Sequence, residues 1–69
     1  MQISGRNKIK GRVSKVTSDN VSAEVEIDAG NGVKVVGLIT SGSLNDMNIK
    51  EGDELTALIK ATSVMFIKE

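Results

Sequence analysis

Four clusters of turn-forming residues cut this chain into segments too short for anything but strands and a single turn of helix. They are Thr17-Ser18-Asp19-Asn20, Asp28-Ala29-Gly30-Asn31-Gly32, Ser41-Gly42-Ser43 and Glu51-Gly52-Asp53. Proline is absent, so Gly, Asn, Asp and Ser must make every turn. Asn31-Gly32 is the strongest of these signals, because both residues tolerate the positive φ that a two-residue hairpin demands.

The segments between the clusters are β-branched and often alternate. Lys8 to Val16 puts Ile9, Gly11 and Val13 on one face, and Val16 falls out of phase with Val13, as a bulge would require. Gly11 within this strand also suggests a bend. From Val21 to Asp28, Val21, Ala23, Val25 and Ile27 point one way and Ser22, Glu24, Glu26 and Asp28 the other. Val33 to Thr40 is apolar on both faces, which predicts a core on one side and a neighbouring subunit on the other. Glu54 to Lys60 alternates again, and Ser63 to Ile67 is read as a last short strand. Ser43 to Asn48 is the one helical candidate, with Ser43 as its cap, Asp46 three residues on and Leu44 and Met47 on a shared face. The expected fold is all-β: one domain over residues 1–69, a small five-stranded OB-like Greek-key barrel with one short helix between strands 3 and 4.

Composition removes several function classes. The 69 residues include no cysteine and no histidine, which excludes disulfides, Cys–His nucleophiles and the usual zinc and iron–sulfur sites. A domain this small then has oligomerisation left as its means of stabilisation. Nine Lys and Arg balance nine Asp and Glu, and Phe66 is the only aromatic residue. Neither the basic excess of a duplex binder nor the stacking faces of a single-strand binder is present. The N-terminus lacks a secretory signal pattern and no apolar run approaches the roughly 20 residues of a membrane span. A cytoplasmic protein without membrane or nucleic-acid contacts is expected.

Catalytic constellations are poorly represented. Glu24 and Glu26 lie two apart on one face, and a solvated strand face accounts for them. No histidine activates a hydroxyl, no Ser-x-x-Lys motif occurs, and Gly30-Asn31-Gly32 leads into a strand rather than a phosphate-binding helix. The chain is not expected to be an enzyme. The two chain ends are more informative. Ser4-Gly5-Arg6-Asn7 and Lys60-Ala61-Thr62-Ser63 are rich in hydrogen-bond donors and contain no carboxylate. Such a set suits a compact anion. Ordinary polarity at strand ends explains the same residues, and residue types alone favour that plainer account.

These segments resemble the molbindin family, the small Mop-type molybdate-binding proteins. Ile3-Ser4-Gly5-Arg6-Asn7 is similar to the family's opening, and Leu58-Ile59-Lys60-Ala61-Thr62-Ser63-Val64-Met65 to its close. Ile39-Thr40-Ser41-Gly42-Ser43-Leu44 and Lys50-Glu51-Gly52-Asp53-Glu54-Leu55 resemble its middle segments, so the likeness spans essentially the whole chain. The resemblance implies an OB-like Mop domain that assembles as a homohexamer, a trimer of dimers, and binds molybdate or tungstate between subunits with no further cofactor. It implies an oxyanion site from Ser4, Arg6 and Asn7 together with Lys60, Ala61 and Thr62, the second group from a neighbouring subunit. Thr40 and Ser43 belong to the same site or to a second one. No side chain is expected to ligate a metal cation directly. The implied role is intracellular molybdenum storage. The rival expectation, from fold alone, is an OB-type module binding nucleic acid or a protein partner.

Overall fold

A computed structural model describes residues 6–69. Four strands form, β1 Asn7–Ser18, β2 Ser22–Gly30, β3 Val33–Thr40 and β4 Glu54–Ile59, with one helix, α1 Ser41–Asp46, between β3 and β4. All pairings are antiparallel and the sheet order is β3-β2-β1-β4. Three hairpin-linked strands plus a fourth returning beside the first make a Greek key. The sheet curls into a half-barrel whose open seam lies between β3 and β4.

Local chemistry accounts for most of the path. The β1 bulge falls at Ser14, between the Val13–Ile27 and Lys15–Glu26 pairs. It returns Val16 to the face of Val13, as the phase of the sequence predicts. Gly11 serves a close approach: a Cβ there would sit 2.7 Å from the Asp28 carbonyl oxygen. At the hairpin tip Asn31 and Gly32 have φ of 54° and 78°, the left-handed pair that matches strand twist. Between β1 and β2 the Asp19 carboxylate accepts from the backbone N–H of both Val21 and Ser22, at 2.8 Å each.

Helix α1 starts two residues earlier than expected. Its cap is Thr40, whose Oγ1 accepts from the Ser43 N–H at 3.0 Å, so Ser43 is the capped residue rather than the cap. The helix ends on Asn48 at φ 52°, with Ile49 N–H donating to the Leu44 carbonyl and Asn48 N–H to that of Asn45. That is a Schellman motif, and its apolar clasp is Leu44 with Ile49. Leu44 is buried, whereas Met47 lies mostly exposed on the lip of the seam.

The core is small: Val13, Ala23, Val25, Ile27 and Leu44, ringed by Val16, Val35, Ile39, Ile49, Leu55 and Ala57. The fifth strand expected over 63–67 does not form within the chain. Ala61–Ser63 is a single 3₁₀ turn, and the residues beyond it carry no strand. Met65, Phe66 and Ile67 are 92, 95 and 87 % exposed. A strand exists only where its backbone finds a ladder partner, and residues 64–69 have none among the described residues. The expected contact on the outer face of β3 is likewise unfilled in one chain, with Val36 54 % and Leu38 73 % exposed.

Candidate functional site

Antiparallel pairing of β1 with β4 joins the two ends of the chain. Asn7 pairs with Ile59, so Arg6, just before β1, and Lys60, just after β4, flank that pair. The Asn7 side-chain amide donates to the Ile59 carbonyl at 3.2 Å across 52 residues of sequence. The 3₁₀ turn follows at once, held by Ser63 N–H to the Lys60 carbonyl (2.9 Å) and Val64 N–H to the Ala61 carbonyl (3.3 Å). Those bonds use the N–H groups of Ser63 and Val64 and not those of Ala61 and Thr62, which lead the turn. Arg6, Lys60, Ala61 and Thr62 are all exposed and Asn7 is half-buried.

One corner of one chain therefore gathers a guanidinium, an amide, an ammonium, a hydroxyl and two leading backbone N–H groups, drawn from segments without a carboxylate. Ser4 lies outside the described residues. Within one chain the described part of the first cluster, Arg6 and Asn7, lies beside Lys60.

Thr40 and Ser43 sit elsewhere. Thr40 pairs with Ser22, beside the Ser18 end of β1, whereas Asn7 opens the other end of that strand. Within one chain the structure separates them from the Arg6–Lys60 corner. Their hydroxyls are engaged with each other, Thr40 Oγ1 donating to Ser43 Oγ at 2.9 Å, besides capping α1. Glu24 and Glu26 do face solvent from β2. Glu26 accepts from Ser14 Oγ at 2.9 Å and pairs with Lys34 at 3.5 Å.

Two concavities differ in kind from the donor corner, and the apolar one reaches Ile59 at the corner's edge. The larger, about 620 Å³, opens at the β1 bend among Lys10, Arg12, Asp28 and Glu54. Its cations are already committed, Lys10 to Glu54 at 3.2 Å and Arg12 to the Gly52 carbonyl at 2.8 Å. Its carboxylates would repel an anion. The other, about 350 Å³, is the apolar seam, lined by Val25, Ile27, Val35, Ile39, Leu55 and Ala57 among others. Sequence reasoning did not single out Leu58, which stands outward on β4 and is 54 % exposed. The signal was a leucine at an outward position of an alternating strand. Among the described residues no group of three or more Asp and Glu is placed to hold a metal cation, and no helix is long and apolar enough to cross a membrane.

Fold and corner together define a class: a small antiparallel Greek-key half-barrel that presents a donor-rich, carboxylate-poor junction of its own chain ends. The chain belongs to the TOBE domain family, which it matches over residues 3–66. Its full-length relatives include molybdenum-pterin-binding protein 3 of Clostridium pasteurianum, 46 % identical over 67 residues and covering 97 % of this chain and 98 % of that protein. The structure of a molybdate-binding protein from Sporomusa ovata superposes with a TM-score of 0.91 at 38 % identity, over 99 % of this chain and all of the other. The cytoplasmic molybdate-binding protein ModG, with molybdate bound, superposes at 0.89 and 28 % identity over 94 % of this chain and 46 % of its own. The resemblance to the Mop proteins drawn from the sequence motifs therefore holds along nearly the whole chain.

Proposed function

We propose that this protein binds molybdate, at the corner where Arg6, Asn7, Lys60, Ala61 and Thr62 converge, with Ser4 completing the donor set. The observation that carries the reading is the pairing of Asn7 with Ile59, which unites two donor-rich segments free of carboxylate. The relatives named for molybdate or molybdenum-pterin support it.

The chemistry of the donors selects among oxyanions. Molybdate is a tetrahedral dianion without a proton near neutral pH, so it only accepts hydrogen bonds. Monohydrogen phosphate must also donate one, and a corner without a carboxylate offers that proton only the weaker hydroxyl and amide acceptors, a handicap that molybdate does not carry. Sulfate has no such proton and is separated by size. Tungstate is nearly isosteric with molybdate and should bind alongside it. A pterin ring would present N–H groups that call for an acceptor, which favours the bare oxyanion over a pterin conjugate.

The finer architecture belongs to an assembly. The seam between β3 and β4 is apolar and its edges are unpaired, while 64–67 carry Val-Met-Phe-Ile into solvent. A tail from a second copy, laid in the seam, supplies a fifth strand and closes the barrel. Homo-oligomerisation, as a hexamer built from dimers, follows the family resemblance. The donor corner lies at the root of that tail, so neighbouring copies meet beside it and the anion offsets the cationic charge gathered there. Binding without catalysis, and storage of molybdate in the cytoplasm, complete the reading.

Thermal unfolding with added anions tests it. Molybdate should raise the melting temperature and phosphate should not. Arg6→Ala and Lys60→Ala should each weaken binding in calorimetric titration while leaving the β-sheet circular dichroism intact. Equal shifts with both anions would overturn the assignment.

A further inference from the structure

On β1 every second residue from Lys8 to Arg12 is an exposed cation, while Ile9, Gly11 and Val13 occupy the other face. Arg6 of the donor corner stands two residues before Lys8, so cations alternate with other residues all the way from Arg6 to Arg12. Their charges are not equally free. Arg12 lies between Asp28 and Glu54 across its two ladders, and its guanidinium donates to the Gly52 carbonyl at 2.8 Å. Lys10 pairs with Glu54 at 3.2 Å. Lys8 has Leu58 as its ladder partner and joins no ion pair among the described residues. From Asn7 to Gly11 the strand's ladder partners among the described residues are 55–59 of β4, a stretch without a carboxylate, and β2 with its acids joins from Arg12 onward.

A chain with nine cations and nine anions exerts little net pull on a distant dianion. Attraction must come from cations whose charge no neighbour cancels. A cation beside a carboxylate leaves only a dipole field, which decays faster with distance. Within the β1 row, Lys8 is therefore the cation that still acts at a distance. It stands about 7 Å from Arg6 along the strand, within the screening length of dilute salt. We infer that Lys8 is the entry cation of the donor corner: it draws the oxyanion along the outer face of β1 toward Arg6 and Lys60 without ligating it. The inference rests on the anion site proposed above and assigns the arrival of the anion to a residue outside that site. Such a group speeds association and leaves dissociation nearly unchanged, because its pull is already spent when the anion takes the last step into the site.

Calorimetric titration of the full-length chain with molybdate gives the affinity, and exchange of isotopically labelled for unlabelled molybdate gives the dissociation rate. Together they yield the association rate. In low salt Lys8→Gln should slow association about two- to fourfold at an unchanged dissociation rate, the effect of one charge near a dianion, and Lys8→Glu should slow it further. The deficit should shrink as salt is added. Lys15→Gln removes an exposed cation roughly 20 Å further along the strand and should leave both rates unchanged. Faster dissociation from Lys8→Gln would make Lys8 a ligand, and a changed sedimentation mass would make it an interface residue; either overturns the inference. So would a wild-type association rate in Lys8→Gln, or equal slowing by Lys15→Gln. In each of those cases the wild-type chain still takes up molybdate, whereas a wild-type chain that takes up none sinks the functional reading and this inference with it.

Discussion

A methyl group on Gly11 would have to occupy space 2.7 Å from the Asp28 carbonyl oxygen and 3.2 Å from the Ile27 side chain. The nearer atom belongs to the backbone of the neighbouring strand, so relief requires the strands to part. Gly11→Ala should therefore destabilise the fold by about 1–3 kcal/mol, the usual cost of overpacking. Urea denaturation checks this as a lower midpoint at unchanged slope. Asp19 makes a prediction of a different kind. The N–H groups of Ser22 and Val21 donate to its carboxylate and hold its pKa below the ordinary value. The unfolded chain then binds the proton more readily than the folded one. The stabilisation is complete above the ordinary carboxylate range and disappears as pH falls through the lowered folded value. Asp19→Ala should be less stable at neutral pH and should show a shallower decline of its urea midpoint below about pH 4. Parallel declines in the two proteins would assign the acid sensitivity to other carboxylates.

The elements differ in how much of their geometry is local. The β2–β3 hairpin is set by two residues, Asn31 and Gly32 at φ 54° and 78°, and was plain in the sequence because turn chemistry acts over a few bonds. Asn31→Ala should cost about 1–2 kcal/mol, the price of a Cβ in left-handed backbone without a compensating polar group, while Asn31→Gly should be close to neutral. Equilibrium unfolding of the two variants separates these outcomes. The β1 bulge was equally legible, because Val13 and Val16 could share a face only if a residue between them was looped out. The start of α1 was not. Thr40, Ser41 and Ser43 all carry hydroxyls, and the choice of Thr40 as cap depends on where β3 stops pairing with β2 at Ser22. The donor clusters were visible at each chain end and the family resemblance joined them in one site, but residue types alone could not place them side by side, since that depends on a β1–β4 register spanning 52 residues. The last strand was misjudged for the same reason. Val64 to Ile67 has strand composition, yet nothing local tells whether its partner lies in the same chain.

At the scale of the molecule the question is what covers the surface that one chain leaves open. Five of the described residues form the buried core, and a half-barrel with an apolar seam of about 350 Å³ exposes much of the area that should stabilise it. The tail beyond Ser63 presents apolar side chains to solvent at nearly full exposure. Joining the two in separate copies satisfies both deficits: the strand gains ladder partners and the seam loses its contact with water. A chain ending at Ser63 keeps all four strands, α1 and every residue of the donor corner, and lacks only the segment proposed to cross between copies. It should sediment as a monomer and melt at a lower temperature that no longer rises with protein concentration, whereas the intact chain should show that rise. Molybdate should stabilise the intact chain strongly and the shortened one weakly, because assembly and anion draw on the same corner at the base of the tail. Retention of the full assembly mass without residues 64–69 would show that the seam is filled by something other than a neighbour's tail.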